Sequence, residues 1–73
     1  MKRSFYQFVL SFRGGAKEDS FAVFAEYMFN DLSFPKDETS FDTLSRYIED
    51  KADPNMPSVV FDELYQLYEE RFN

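Results

Sequence analysis

Cysteine and histidine are both absent from the 73-residue sequence. Without cysteine the chain can form no disulfide and has no thiolate nucleophile, and without either residue it lacks the usual ligands of zinc. Acid-base chemistry would fall to carboxylates, lysine or tyrosine. The sequence also contains no G-x-G-x-x-G, P-loop or G-x-S-x-G motif. We therefore predict a protein that is not an enzyme and that carries no cofactor and no metal ion.

Long apolar runs are missing as well. No run approaches the ~20 residues that a membrane-spanning helix needs. The start of the chain has no basic segment followed by an apolar stretch of the kind found in signal peptides. We expect a cytoplasmic protein with no membrane partner.

Acidic residues are missing from one part of the chain only. Residues 1–17 contain four basic residues and no acid, whereas residues 18–73 contain all 14 acidic residues and four basic ones. The net charge of −6 therefore conceals a basic start and a strongly acidic remainder.

The sequence is rich in aromatic residues. Ten Phe and five Tyr make up 21% of the residues. Each buried ring removes a large apolar area from water, which argues against disorder. At this length the chain is near the lower limit for a stable core, so we predict a single domain over residues 1–73.

Four segments have the apolar spacing of amphipathic helices. The first follows Ser4 and ends at Gly14, and the second ends near Asp31. The third runs to about Lys51, and the fourth fills residues 58–73. The predicted capping residues are Ser4 for the first helix, Asp19 or Ser20 for the second, Thr39 or Ser40 for the third, and Ser58 after Pro57 for the fourth.

The apolar stripes of these segments predict the core. Their members are Phe5, Phe8, Val9 and Phe12; Phe21, Phe24, Ala25, Met28 and Leu32; Phe41, Leu44, Tyr47 and Ile48; and Val60, Phe61, Leu64, Tyr65, Leu67, Tyr68 and Phe72. We expect Phe34 to enter the core from the loop before Pro35. The predicted fold class is all-α, a compact bundle of four helices, or five if residues 32–36 form a short turn of helix.

A set of short motifs along nearly the whole chain resembles the YozE-like family of small bacterial proteins. The motifs are Ser4-Phe5-Tyr6 with Phe12-Arg13, Asp19-Ser20 before Phe24-Ala25, Asp31 with Phe34-Pro35-Lys36, and Phe61-Asp62-Glu63 with Tyr68. The resemblance implies a helical fold like that of sterile alpha motif (SAM) domains and a source among the low-GC Gram-positive bacteria. It implies no particular activity, although fold analogy suggests nucleic-acid binding.

One side of the first helix is a candidate binding surface. Arg3, Tyr6, Leu10 and Arg13 fall within about 80° of arc beside the core stripe, and Lys2 and Lys17 could extend this first-helix edge. Cations with an aromatic ring could bind nucleic acid through phosphate contact and base stacking. They could instead bind the acidic face of another protein molecule.

Two plainer interpretations of the same residues remain open. Tyr6 and Leu10 could widen the core face while the cations keep the helix soluble, or the basic first helix could lie on the acidic last helix. We predict a non-catalytic protein-interaction module, with nucleic-acid binding as the alternative, because the chain is acidic overall. Burial of Tyr6 and Leu10 would remove the aromatic ring from the nucleic-acid hypothesis. The default oligomeric state is a monomer.

Overall fold

The structure is a computed structural model that describes residues 3–72, and all regular structure in that range is helical. The helices are α1 (Phe5–Leu10), α2 (Ser20–Asn30), α3 (Phe41–Lys51) and α4 (Ser58–Phe72). The predicted all-α class with four helices is confirmed. Residues 32–36 form turns and add no fifth helix.

Side chains cap the starts of the first three helices. Ser4 and Gln7 form a reciprocal capping box, in which each side chain accepts a hydrogen bond from the other residue's backbone amide. Asp19 caps α2 by accepting from the amide of Phe21, and Ser40 caps α3. Each of these caps is among the residues that the sequence predicted.

Two helix ends differ from the prediction. α1 ends at Leu10 because the amides of Ser11, Phe12 and Arg13 bond to carbonyls three residues back, at 2.9–3.2 Å, and tighten the chain into turns. At the start of α4 the Pro57 carbonyl accepts from the amide of Phe61 at 3.0 Å. Ser58 is therefore the first helical residue, and Pro57 occupies the capping position.

Phe5 lies at the centre of the core. Its ring centroid is 5.2 Å from that of Phe61, 5.8 Å from Tyr65, 5.9 Å from Tyr68 and 6.4 Å from Phe24. Most of these pairs are edge-to-face, which is the geometry that ring quadrupoles favour. This aromatic cluster joins α1 to α2 and α4.

Most of the predicted core residues are buried, and Phe34 enters the core from its loop as predicted, at 3% exposure. Leu32 is the clear error, because it is 88% exposed. The helical spacing from Met28 does not extend to Leu32, since α2 ends at Asn30 and the chain turns there. Leu67 and Phe41 lie at the rim of the core and keep more than a third of their surface in solvent.

Three tyrosine hydroxyls join the helices to the loops. Tyr68 donates to the Arg3 carbonyl, Tyr65 donates to the Thr39 carbonyl at 2.7 Å, and Tyr47 donates to the Asp31 carboxylate at 2.5 Å. Each buried ring thus has its polar end satisfied.

Gly14 supplies a left-handed turn after α1, with a φ of 88°. We expect Gly14→Ala to lower the free energy of unfolding by about 1–2 kcal/mol, because a side chain is strained at this φ even though nothing crowds the position. Urea denaturation monitored by circular dichroism measures the change. Gly14→Asn is the matched control and should lose less, since Asn accepts left-handed backbone more readily. Equal stability of the alanine variant and the native protein would contradict this account of the turn.

Candidate interaction surface

The described residues of the predicted first-helix edge have different surroundings. Lys2 lies outside the described residues. Arg3 is exposed, and Lys17 is exposed in the loop between α1 and α2. Leu10 is half-buried against the core.

Tyr6 does not present its ring to solvent as the nucleic-acid hypothesis required. It is 8% exposed, and its ring packs on Phe34 at a centroid distance of 5.8 Å. The buried side of α1 is wider than its Phe stripe because the loop that carries Phe34 covers this flank. Tyr6 therefore belongs to the core and offers no free face for base stacking.

Arg13 is occupied by neighbours on α2. Its guanidinium forms an ion pair with Glu26 at 2.9 Å and lies over the ring of Phe29, with its central carbon 3.7 Å from the ring centroid. The hydrogen bond between the two side chains raises the pKa of Arg13 and lowers the pKa of Glu26. Both groups remain charged at neutral pH, and Glu26 offsets part of the positive charge that the sequence suggested here.

Two residues that sequence reasoning missed join this flank. The Lys36 ammonium lies 5.8 Å from the centroid of the Tyr6 ring, which places a cation from a distant loop beside α1. Phe29 is 41% exposed. Its position outside the α2 core stripe was a usable signal, because an aromatic residue there cannot face the core. Nothing in the local sequence indicated Lys36.

We define the basic edge by the exposed and half-buried residues that share this flank. Tyr6 and Leu10 lie four residues apart on one side of α1, and Arg13 follows in the turns after Leu10. The two cation–π contacts attach Lys36 and Phe29 to this flank. Arg13 and Lys36 bring two cations to this flank, and Glu26 pairs with Arg13. Arg3 is a further exposed cation, immediately before the Ser4 cap of α1. The members of the basic edge are Leu10, Arg13, Phe29 and Lys36, together with Arg3.

An open cavity of about 390 Å³ lies beside the basic edge and is lined in part by Glu26, the ion-pair partner of Arg13. The residues that line it are Gly14, Gly15, Ala16, Lys17, Ala22, Val23, Glu26, Tyr27 and Asn55. Lys17 and Glu26 are the charged groups of this lining. They are of opposite charge, so the cavity holds no pair of carboxylates that could share a proton.

The pKa shifts within residues 3–72 all move groups away from neutrality. Burial and the hydrogen bond to Asp31 raise the pKa of Tyr47 to about 12, and burial with a hydrogen bond to Glu69 raises that of Tyr65 to about 12. Burial also raises the pKa of Tyr68. These phenols stay protonated at neutral pH, whereas a general base must be deprotonated in order to accept a proton.

The carboxylate of Asp31 is buried, and its side chain is 7% exposed. Burial alone would raise its pKa, but hydrogen bonds from Tyr47, the Ser33 amide and Lys51 outweigh burial and lower it. Lys51 lies 3.3 Å from the carboxylate. The group joins the end of α2 to α3, and its carboxylate oxygens accept hydrogen bonds from Tyr47 and the Ser33 amide.

Within the described part of the chain, no cluster of three or more carboxylates has the arrangement of a metal-ion site. No helix between residues 3 and 72 is long and apolar enough to cross a membrane.

The chain matches the model of a known protein family. The family model described as the YozE SAM-like fold matches residues 4–70, which include the Ser4 cap, all of the first three helices and most of α4. The chain belongs to the YozE SAM-like family. The resemblance drawn from the short motifs is thus confirmed, and the SAM-like fold with it.

Members of the YozE SAM-like family in staphylococci are close relatives. The UPF0346 protein of Staphylococcus epidermidis is 51% identical over 67 residues, which cover 92% of this chain and 88% of that protein. The corresponding protein of Staphylococcus haemolyticus is also 51% identical, and that of Staphylococcus aureus is 48% identical, each over 92% of this chain and 89% of the relative.

Proposed function

We propose that this protein is a non-catalytic interaction module that binds an acidic protein surface through the basic edge. The observation that carries the proposal is the composition of that edge, where Arg13 lies over the exposed ring of Phe29 and Lys36 lies beside the ring of Tyr6. Protein interfaces combine an apolar centre with a charged rim, and aromatic and arginine side chains are enriched in them.

A non-catalytic role is supported by the state of the ionisable groups. Tyr47, Tyr65 and Asp31 form hydrogen bonds that hold helices and loops together, and their pKa values lie away from neutrality. A general acid or base at neutral pH works best with a pKa near 7.

Three observations favour protein over nucleic acid. Tyr6 is buried, and Glu26 offsets the charge of Arg13. The acidic residues of the chain would also repel a polyanion. Phe29 keeps nucleic acid as the second candidate, because its exposed ring beside Arg13 could stack on a base.

The test is a set of binding titrations followed by fluorescence anisotropy. The probes are a labelled helical peptide of Glu and Leu residues and labelled single- and double-stranded DNA and RNA oligonucleotides, at low and physiological salt. We expect the peptide to bind saturably and more weakly as salt rises. The Arg3→Glu/Lys36→Glu variant should lose this binding. It reverses the charge of the two edge cations that have no ion-pair partner among the described contacts.

The matched control is Arg46→Glu/Arg71→Glu, which changes the net charge equally at exposed positions elsewhere. It should bind the peptide like the native chain. Edge-dependent binding of oligonucleotides without peptide binding would move the function to the nucleic-acid class. Equal binding of the peptide by both charge-reversed variants would contradict a specific edge.

A further inference from the structure

The outward side of α4 is acidic and carries exposed apolar residues. Val59 is 64% exposed and Leu67 is 36% exposed. The spacing of Val59, Glu63 and Glu70 places them on the side of the helix opposite its buried residues, with Asp62 at the margin. We call Val59, Asp62, Glu63, Leu67 and Glu70 the acidic face.

The buried side of the same helix packs on α1 through aromatic rings. Tyr68 contacts Phe5 and Phe8, with centroids 5.9 and 5.8 Å apart. The basic first helix therefore does lie on the last helix, but through its Phe stripe. The outward side of α4 does not take part in this contact.

The basic edge and the acidic face consequently lie on different sides of one molecule. The edge occupies the flank of α1 that faces Lys36 and Phe29, whereas the Phe stripe of α1 faces α4. By helical spacing, the acidic face lies on the side of α4 opposite Tyr68, which packs on α1. The two surfaces of one copy cannot meet each other, yet each is complementary to the other in charge and each carries exposed apolar area.

We propose that the acidic partner of the basic edge is the acidic face of a second copy of this chain. The inference rests on the proposed function, because it names the protein that the edge binds. Since the two surfaces differ, the contact is heterologous, and each bound copy leaves one free edge and one free face. Successive copies therefore join head to tail into short chains whose length rises with concentration and falls with salt.

Sedimentation velocity over a concentration series tests this, with circular dichroism to verify folding. The native chain should associate at low salt. The edge variant Arg3→Glu/Lys36→Glu and a face variant Glu63→Lys/Glu70→Lys should each remain monomeric. An equal mixture of the two should associate again, because the intact face of the first fits the intact edge of the second. Glu49→Lys/Asp50→Lys, two exposed acids on α3, is the control for the face variant and should associate like the native chain.

The outcomes separate this inference from the proposed function. A native chain that stays monomeric at all concentrations, while its basic edge still binds the Glu-Leu peptide, overturns the second-copy inference and leaves the interaction module standing. A mixture that stays monomeric also overturns the head-to-tail contact. Loss of both self-association and peptide binding overturns both proposals.

Discussion

Phe5→Ala is expected to lower the free energy of unfolding by about 3–5 kcal/mol, the range for removing a fully buried aromatic ring. The ring of Phe5 has no exposed surface and contacts four other rings from α2 and α4. A domain of this size has few other contacts that could offset such a cavity. Since small domains are stable by only about 5–15 kcal/mol, this loss is a large share of the total and should lower the melting temperature markedly. Thermal denaturation followed by circular dichroism measures the effect.

Leu32→Ala provides the matched control, because it removes an exposed side chain instead of a buried one. Its effect should stay within about 0.5 kcal/mol. Phe5→Leu should lie between the two, since leucine refills part of the space. A melting temperature of Phe5→Ala close to that of Leu32→Ala would show that the aromatic cluster is not the centre of the core.

Asp31→Ala should have the second largest effect, a loss of about 1–3 kcal/mol. The substitution leaves the Tyr47 hydroxyl and the Ser33 amide without their acceptor and removes the ion pair with Lys51. Chemical denaturation at neutral pH measures this loss. Asp31→Asn is the matched variant, because its amide oxygen can still accept one hydrogen bond and it should lose less.

The pH dependence of this contact has a definite sign. Hydrogen bonds from Tyr47 and Ser33, with Lys51, lower the pKa of Asp31 in the folded state against the opposing effect of burial. Its contribution is therefore present above the ordinary aspartate pKa and is lost as pH falls through the lowered value. The stability advantage of the native chain over Asp31→Asn should shrink in acid. An advantage that grows in acid would contradict the assignment.

At alkaline pH, the contribution of Tyr47 to stability changes with pH in the opposite direction. Its pKa is raised to about 12, so its contribution is complete below the ordinary tyrosine pKa and is lost as pH rises through about 12. Ionised Tyr47 would also repel Asp31.

Local signals in the sequence predicted most of the fold, because the helices are set by capping and apolar spacing. The Ser4 box, the Asp19 cap and the Gly14 turn act within a few residues, so the sequence shows them directly. Phe34 was also predictable, since a large ring before Pro35 has little reason to stay in solvent. Leu32 was not, because helical spacing was extended past the residue where α2 ends.

The candidate site was predictable only in part, because its properties depend on contacts between distant segments. The sequence indicated cations on one side of α1. It could not show that Phe34 buries Tyr6, that Glu26 pairs with Arg13, or that Lys36 lies beside α1. Each of these facts joins residues that are ten or more positions apart. Charge patterning predicted that two opposite surfaces exist, and the fold determines where they lie.

The central claim is that the basic edge of one molecule binds the acidic face of a second copy. The most direct test is an NMR titration in which the ¹⁵N-labelled face variant, Glu63→Lys/Glu70→Lys, receives the unlabelled edge variant, Arg3→Glu/Lys36→Glu. Only the intact edge of the labelled protein and the intact face of the other can meet. The account predicts amide shifts clustered around Leu10, Arg13 and Phe29. Shifts confined to the cavity lined by Ala22 and Asn55, or no shifts at all, would contradict it.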